Sequence, residues 1–416
     1  MLLTELFPRS HHYYSSLPVL GSILTGYARW LLDQRYPKHR VRMHFRAARR
    51  LVSLLHDRNV NTPEDLTREQ LRSCAPASSQ DDPDLAVLVR CLDRYLENDG
   101  VFSGSPPSAI EARLVTYGTY LKNVRGFAES TIKAHSNSIA ELLEHLGYEK
   151  TPNSLNALTE ADIEGFVCKV GQRLSRASFQ HTVAHIRAFC RHLETGDELP
   201  PQLHIQIDTP RVYREEQLPR TLSWDTVNSL LQSIDRSTPI GRRDYAILLL
   251  VTTYGLRSCE VVTLTLDDID WRIGQLRVSQ QKTANRLILP LTDEVGASLV
   301  GYLKQGRPSS PCREVFLRCR APEGALKPTA VSEVFQAWSR KSGLNIPFQG
   351  AHCLRHSYAM HLLRDGTSLK TIGDILGHRT TESTCVYLRL AIEDLRKVAL
   401  SLPRDSYVNR GLEGES

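Results

Sequence analysis

The chain has 416 residues, 41% of them hydrophobic and 24% charged, with a formal net charge of +6. This length exceeds one ordinary core and implies two to three domains, and the composition is that of a soluble globular protein. The nine cysteines form no CxxC pair, so neither a disulfide framework nor a zinc site is indicated, and a reducing cytoplasm fits. No basic segment followed by an apolar run opens the chain, so no signal peptide is expected. The longest apolar run, Ala246 to Val251, is far too short to cross a bilayer.

The first region, residues 1–104, reads as a helical domain closed by a Gly-Ser-Pro-Pro linker around Pro106 and Pro107. Its stretch from Gln34 to His56 has no acid but carries Arg35, Lys38, Arg40, Arg42, Arg46, Arg49 and Arg50. The second region, residues 108–200, has apolar residues at helical spacing, as in Phe179, Val183, Ile186, Cys190 and Leu193, and ends at Pro200-Pro201. From Lys169 to Leu193 it too lacks acids, while Lys169, Arg173, Arg176, Arg187 and Arg191 are joined by three histidines. One-sided basic stretches fit contact with a phosphate backbone; a solvated helix face is the plain alternative.

The two regions share an order of residues. Tyr27, Trp30-Leu31, Leu54-Leu55-His56, Thr62-Pro63 and Leu66-Thr67 are followed, about ninety residues on, by Tyr117, Tyr120-Leu121, Leu142-Leu143 with His145, Thr151-Pro152 and Leu158-Thr159. This suggests two related helical bundles in tandem, against two unrelated amphipathic segments.

A polar connector with Pro210 and Pro219 leads to the third region, residues 215–416. A helix near Trp224-Asp225 buries Val227, Leu230, Leu231 and Ile234, and a second covers about Arg243 to Tyr254. A hairpin is expected next: Gly274 to Ser279 alternates, Lys282 to Asn285 is polar, and Leu287 to Leu291 is apolar. Thr329 or Ser332 opens a later helix, Gly366 closes one that begins near Cys353, and Ala391 to Leu400 reads as an amphipathic tail helix. The fold class is therefore mainly α with a small antiparallel β-sheet.

Five pieces of this region belong together: Tyr254-Gly255-Leu256-Arg257-Ser258-Cys259-Glu260; Lys282 in the hairpin turn; His352-Cys353-Leu354-Arg355-His356; Leu376-Gly377-His378; and Tyr387, nine residues beyond His378. Each residue taken singly has an ordinary structural use. Their order and spacing resemble the catalytic domain of tyrosine recombinases, the phage integrase family, over about Arg220 to Leu400. The family pattern of Arg, Lys, His-x-x-Arg, His and Tyr falls on Arg257, Lys282, His352, Arg355, His378 and Tyr387. Region two, with Gly126-Phe127 and Ser130-Thr131-Ile132, is less specifically similar to the family's core-binding (SAM-like) domain. The fold implied is one or two helical core-binding bundles followed by a catalytic domain.

The chemistry suits these residue types. Phosphodiester exchange passes through a phosphorane with extra negative charge, which two guanidiniums grip with fixed forks and without losing charge. His378 is placed to donate a further hydrogen bond. A tyrosine, with its ordinary pKa near ~10, needs a base or a strongly positive site to attack at neutral pH. His352 is the candidate base; His356, one turn away, is the main ambiguity and is favoured as a structural neighbour, and Glu260 is read as an orienting group. The resemblance implies Lys282 as proton donor to the leaving 5′-oxygen. A covalent phosphotyrosine conserves the energy of the broken bond, so no cofactor or metal is expected, and no GxxxxGK[ST] loop or HExxH motif occurs.

The expected function is site-specific recombination, as integrase or transposase of a mobile element. The alternatives are strand relaxation of the type IB topoisomerase kind and a catalytically silent DNA-binding accessory role. The expected partners are double-stranded DNA, further copies in a tetrameric synapse, sister recombinases, and no membrane. The tail helix is expected to dock on a neighbouring protomer or on its own domain.

Overall fold

The computed structural model describes residues 2–78, 80–102, 107–200, 203–208, 219–280, 285–378, 380 and 382–390. It divides into two compact units, one of Met1–Leu66, Cys74–Val89 and Leu218–Ser416, the other of Thr67–Ser73 and Arg90–Gln217. Among the described residues no helix is long and apolar enough to cross a membrane. The expected linker around Pro106, most of the connector with Pro210, and the tail helix 391–400 lie outside the described residues, wholly or in large part.

In the second unit, helices Ala109–Asn123, Glu129–His145, Glu160–Gly171 and Arg176–Thr195 surround a core of Tyr117, Leu142, Phe166, Ile186 and Phe189. Start signals are local. Ser108 accepts a hydrogen bond from Glu111 N–H at 3.1 Å while the Glu111 carboxylate takes Ser108 N–H at 3.2 Å, a reciprocal cap. Thr159 and Asp162 repeat the arrangement. Val183, Ile186, Cys190 and Leu193 line the buried face of the last helix as their spacing predicts, which leaves Arg176 and Arg191 exposed. Two other basic residues of the acid-free stretch are engaged: Arg173 pairs with Glu141, and Arg187 Nε donates to the His204 carbonyl at 3.1 Å.

The N-terminal helices of the first unit present a parallel set of contacts. Helices Gly21–Asp33 and Lys38–His56 precede a 3-10 turn at Pro63–Asp65, as Ala109–Asn123 and Glu129–His145 precede one at Pro152–Leu155. Tyr27 Oη and His44 Nδ1 are hydrogen-bonded at 2.6 Å; Tyr117 Oη and His135 Nδ1 are hydrogen-bonded at 3.1 Å. Trp30 stacks on Tyr27 at 6.1 Å and 17°, and Tyr120 on Tyr117 at 6.3 Å and 17°.

The rest of the first unit packs around helix Pro239–Tyr254, most of whose residues are buried. This helix starts about four residues before Arg243, where the sequence places its beginning. Thr238 caps it by accepting Gly241 N–H at 3.0 Å, and Pro239 occupies its first turn. Against it lie helix Trp224–Gln232, helix Asp293–Gln305, helix Thr329–Lys341 and helix His352–Arg364. The hairpin consists of β2 (Gln275–Gln280) and β3 (Asn285–Pro290), with Leu276 opposite Leu289 and Val278 opposite Leu287. A two-residue strand β1 (Ile269–Asp270) completes an antiparallel sheet in the order β1-β2-β3. Leu276, Val278 and Gln280 alternate inward, with Arg277 and Ser279 outward.

Candidate active site

The site is assembled where four short elements end. Helix Pro239–Tyr254 stops at Gly255, which has φ +63. A Cβ there would fall 2.6 Å from Leu376 Cδ2 and 2.8 Å from Tyr358 Cδ1, so both the backbone conformation and the space require glycine. The break turns the chain so that Arg257 stands at the head of helix Ser258–Thr263. The Glu260 carboxylate accepts both Arg257 N–H and Arg257 Nη1 at 2.8 Å, and is itself 2% exposed. One acid thus caps the helix and aims the guanidinium.

Arg355 is 3% exposed on helix His352–Arg364. It donates through Nη1 to the Gly255 carbonyl and through Nη2 to the Leu376 carbonyl, both at 2.5 Å. The second of these glycine-ended helices also supplies a carbonyl to Arg257, whose Nη2 donates to Gly377 O at 3.2 Å. Two cations are therefore fixed side by side by the unpaired carbonyls of helix C-termini, where positive charge is favoured. Burial first, and then the Arg257 charge, brings the Arg355 pKa down to about 10, which leaves it charged at neutral pH.

Helix Leu369–Leu376 starts at Ser368, which accepts Thr371 N–H at 3.1 Å, and ends at Gly377 with φ +61. A Cβ on Gly377 would lie 2.1 to 2.5 Å from the Gln280 amide, so the last residue of β2 packs directly onto this turn. His378 follows. Its Nδ1 is hydrogen-bonded to the fully buried Thr384 Oγ1 at 2.8 Å. Burial, Arg355 and Arg257 lower its pKa to about 4, so it is neutral near pH 7. When Nδ1 accepts from the Thr384 hydroxyl, the ring proton sits on Nε2, where it can donate.

Tyr387 lies in a 3-10 turn, Val386–Leu390, and is 1% exposed. Its ring packs with Ala359, Met360, Ile372 and Leu376. Its hydroxyl is 2.9 Å from His356 Nδ1, and its ring stacks with His378 at 6.5 Å. Burial raises its pKa, while Arg355 and Arg257 pull the other way. His352 is exposed at the first turn of its helix, its ring 4.5 Å from that of His356.

Arg257, His352, Arg355, His378 and Tyr387 therefore converge, as their order along the chain implies. Lys282 lies outside the described residues. His356, ambiguous with His352 in the sequence and favoured there as its structural neighbour, is the histidine that touches the tyrosine hydroxyl. Thr384, which fixes His378, escaped the sequence. Nothing in the spacing distinguishes His352 from His356, which are one turn apart. Among the described residues no three His, Cys, Asp or Glu side chains are grouped to hold a metal ion.

The model of the phage integrase family matches residues 220–393, and that of the phage integrase N-terminal SAM-like domain matches residues 114–195. The integrase/recombinase-like protein y4rA of Sinorhizobium fredii is 35% identical over 301 residues, 72% of this chain and 73% of that protein. Tyrosine recombinase XerD of Listeria monocytogenes is 30% identical over 280 residues, 66% of this chain and 93% of that one. Among solved structures, the XerH site-specific recombinase bound to palindromic difH substrate aligns with a TM-score of 0.52 at 17% identity, covering 79% of this chain and 92% of that one; this likeness is one of fold. A cluster of arginines, histidines and a tyrosine on this fold, with relatives of this identity, makes the chain a member of the phage integrase family: it is a tyrosine recombinase, a site-specific enzyme that breaks and rejoins DNA.

Proposed function

We propose that this recombinase serves a mobile element and works through a covalent bond between Tyr387 and a 3′-phosphate of duplex DNA. The observation that carries this reading is that Tyr387 feels the charges of both Arg355 and Arg257 while its ring stacks with that of His378. A scissile phosphate gripped by the two guanidiniums would have its non-bridging oxygens against His378 Nε2–H, and the charge gathered in the phosphorane would meet donors already fixed in place. We assign Lys282 to protonation of the leaving 5′-oxygen and include His352 in the set. The relatives are named for recombination or integration, which speaks against strand relaxation alone and against a silent accessory role.

The same proposal extends to organisation. Residues 108–200 act as the core-binding module, residues 215–416 as the catalytic module, and residues 1–104 as a second, diverged copy of the core-binding bundle. The paired Tyr–His hydrogen bonds and aromatic stacks at corresponding positions support that duplication. The working form is a tetrameric synapse on DNA, alone or with sister recombinases, in the cytoplasm.

Trapping tests the reaction. A duplex selected by the full chain from a randomised pool, rebuilt with a nick beside each candidate phosphate, should accumulate a covalent adduct with the wild type. Tyr387→Phe should bind the same duplex and form none. An adduct that survives this change would refute the assignment of the nucleophile.

A further inference from the structure

A phenol that attacks phosphorus must lose its proton, and the structure shows a nitrogen within reach of it. The Tyr387 hydroxyl lies 2.9 Å from His356 Nδ1, with the two rings 5.6 Å apart at 60°. This is hydrogen-bonding distance in a pocket from which the tyrosine side chain is almost wholly hidden from solvent. His356 follows Arg355 directly, so the residue facing the phenol is rigidly tied to one that would face the phosphate. His352 stands behind it, ring to ring at 4.5 Å and 82°, on the exposed first turn of the helix.

We propose that His356 is the proton acceptor for Tyr387, a role that rests on the reading of Tyr387 as the nucleophile. As the Tyr387 Oη–phosphorus bond forms, the phenolic proton passes to His356 Nδ1. The phosphorus–O5′ bond breaks, and the 5′-oxygen takes its proton from the general acid assigned above to Lys282. On rejoining, the 5′-hydroxyl attacks phosphorus and gives its proton back to Lys282, the phosphorus–Oη bond breaks, and the imidazolium returns its proton to the departing phenolate.

The electrostatics favour this sequence. Burial, then His352, Arg355 and His378, lower the His356 pKa to about 4. In the free protein it is thus neutral near pH 7, with a lone pair open on Nδ1 when the hydrogen is on Nε2. A phosphate seated on Arg257 and Arg355 brings negative charge next to Arg355, one of the groups that depress His356. Imidazolium becomes easier to form at the moment the proton must be received. No such change is needed for His356 to act as acceptor in the ground-state hydrogen bond, so the nucleophile is oriented before DNA arrives.

Two variants of the full chain on the selected nicked duplex decide the matter. His356→Ala should form adduct about 100-fold more slowly or worse, keep its DNA affinity within about threefold, and regain much of the rate when imidazole is added. His356→Asn leaves an oxygen acceptor near the Nδ1 position but cannot take a proton. It should melt and bind as the wild type does, cleave about 100-fold more slowly, and gain nothing from imidazole. Wild-type cleavage by either variant overturns the proposal, as does a His352→Ala enzyme that alone loses the rate and alone is rescued. Absence of any adduct with the wild type, or an adduct with Tyr387→Phe, would instead sink the nucleophile reading and leave this one without its premise.

Discussion

Replacing Glu260 by glutamine removes one charge and almost no volume, and its cost can be worked from the site. The carboxylate has two acceptor oxygens, and both are occupied: by Arg257 N–H and by Arg257 Nη1, each at 2.8 Å. A glutamine has one oxygen and one NH2, so whichever way it turns, an NH2 faces an N–H donor. The pair is largely hidden, with Glu260 side chain exposure of 1% and Arg257 of 16%. Breaking one side of such a pair costs about 3–5 kcal/mol, and the partial exposure of Arg257 argues for the lower end. About 3 kcal/mol corresponds to a fall of roughly 6–12 °C in Tm for a domain of this size. Because the acid also aims the guanidinium, adduct formation should drop more than stability does when cleavage is measured well below both melting temperatures. Glu260→Asp, which keeps the charge on a shorter arm, should fall between. A Glu260→Gln protein that melts within about 2 °C of the wild type, against the 6–12 °C expected, and cleaves at its rate would show that Arg257 holds its place without the carboxylate.

Two further outcomes follow from the same geometry. His44, His185, His356 and His378 all have pKa values brought down to about 4, burial being the first cause for each. Between pH 6.5 and 4 the unfolded chain holds these protons and the folded one does not, so unfolding takes up protons and stability falls as the pH drops through that window. Melts from pH 7 to 4.5 should show the decline, and His185→Gln should make it shallower; a flat profile would remove the buried neutral histidines from the account. Gly377→Ala forces a side chain into a left-handed backbone at φ +61 and against the Gln280 amide. It should cost at least about 1–2 kcal/mol and slow adduct formation, and a neutral result in thermal melts and trapping together would contradict that packing.

Much of this site was legible in the chain because its chemistry is concentrated in short segments. Gly255 and Gly377 mark helix ends, and an arginine and a histidine follow them within two residues. Helix starts were readable where a side chain does the capping, and misread at Pro239 because the cap, Thr238, lies before the apolar run. What stayed hidden is what long-range packing decides. Arg355 meets Gly255 across a hundred residues, and His356 meets Tyr387 across thirty-one. A shift of the helix by one turn along its axis would have exchanged His356 for His352, and no local pattern reports that shift. Strand β1 is two residues long and borrows its conformation from β2, so it leaves no alternation to detect. The tyrosine itself sits in a 3-10 turn, where neither helical nor strand period applies.

The contact between Gln280 and Gly377 also ties together two parts of the molecule that are far apart in the chain. Gln280 is 3% exposed and packs against the turn that carries His378, and its amide leaves no room for a Cβ on Gly377. The end of strand β2 and the turn before His378 therefore cannot move independently: close-packed groups transmit a displacement of one to the other.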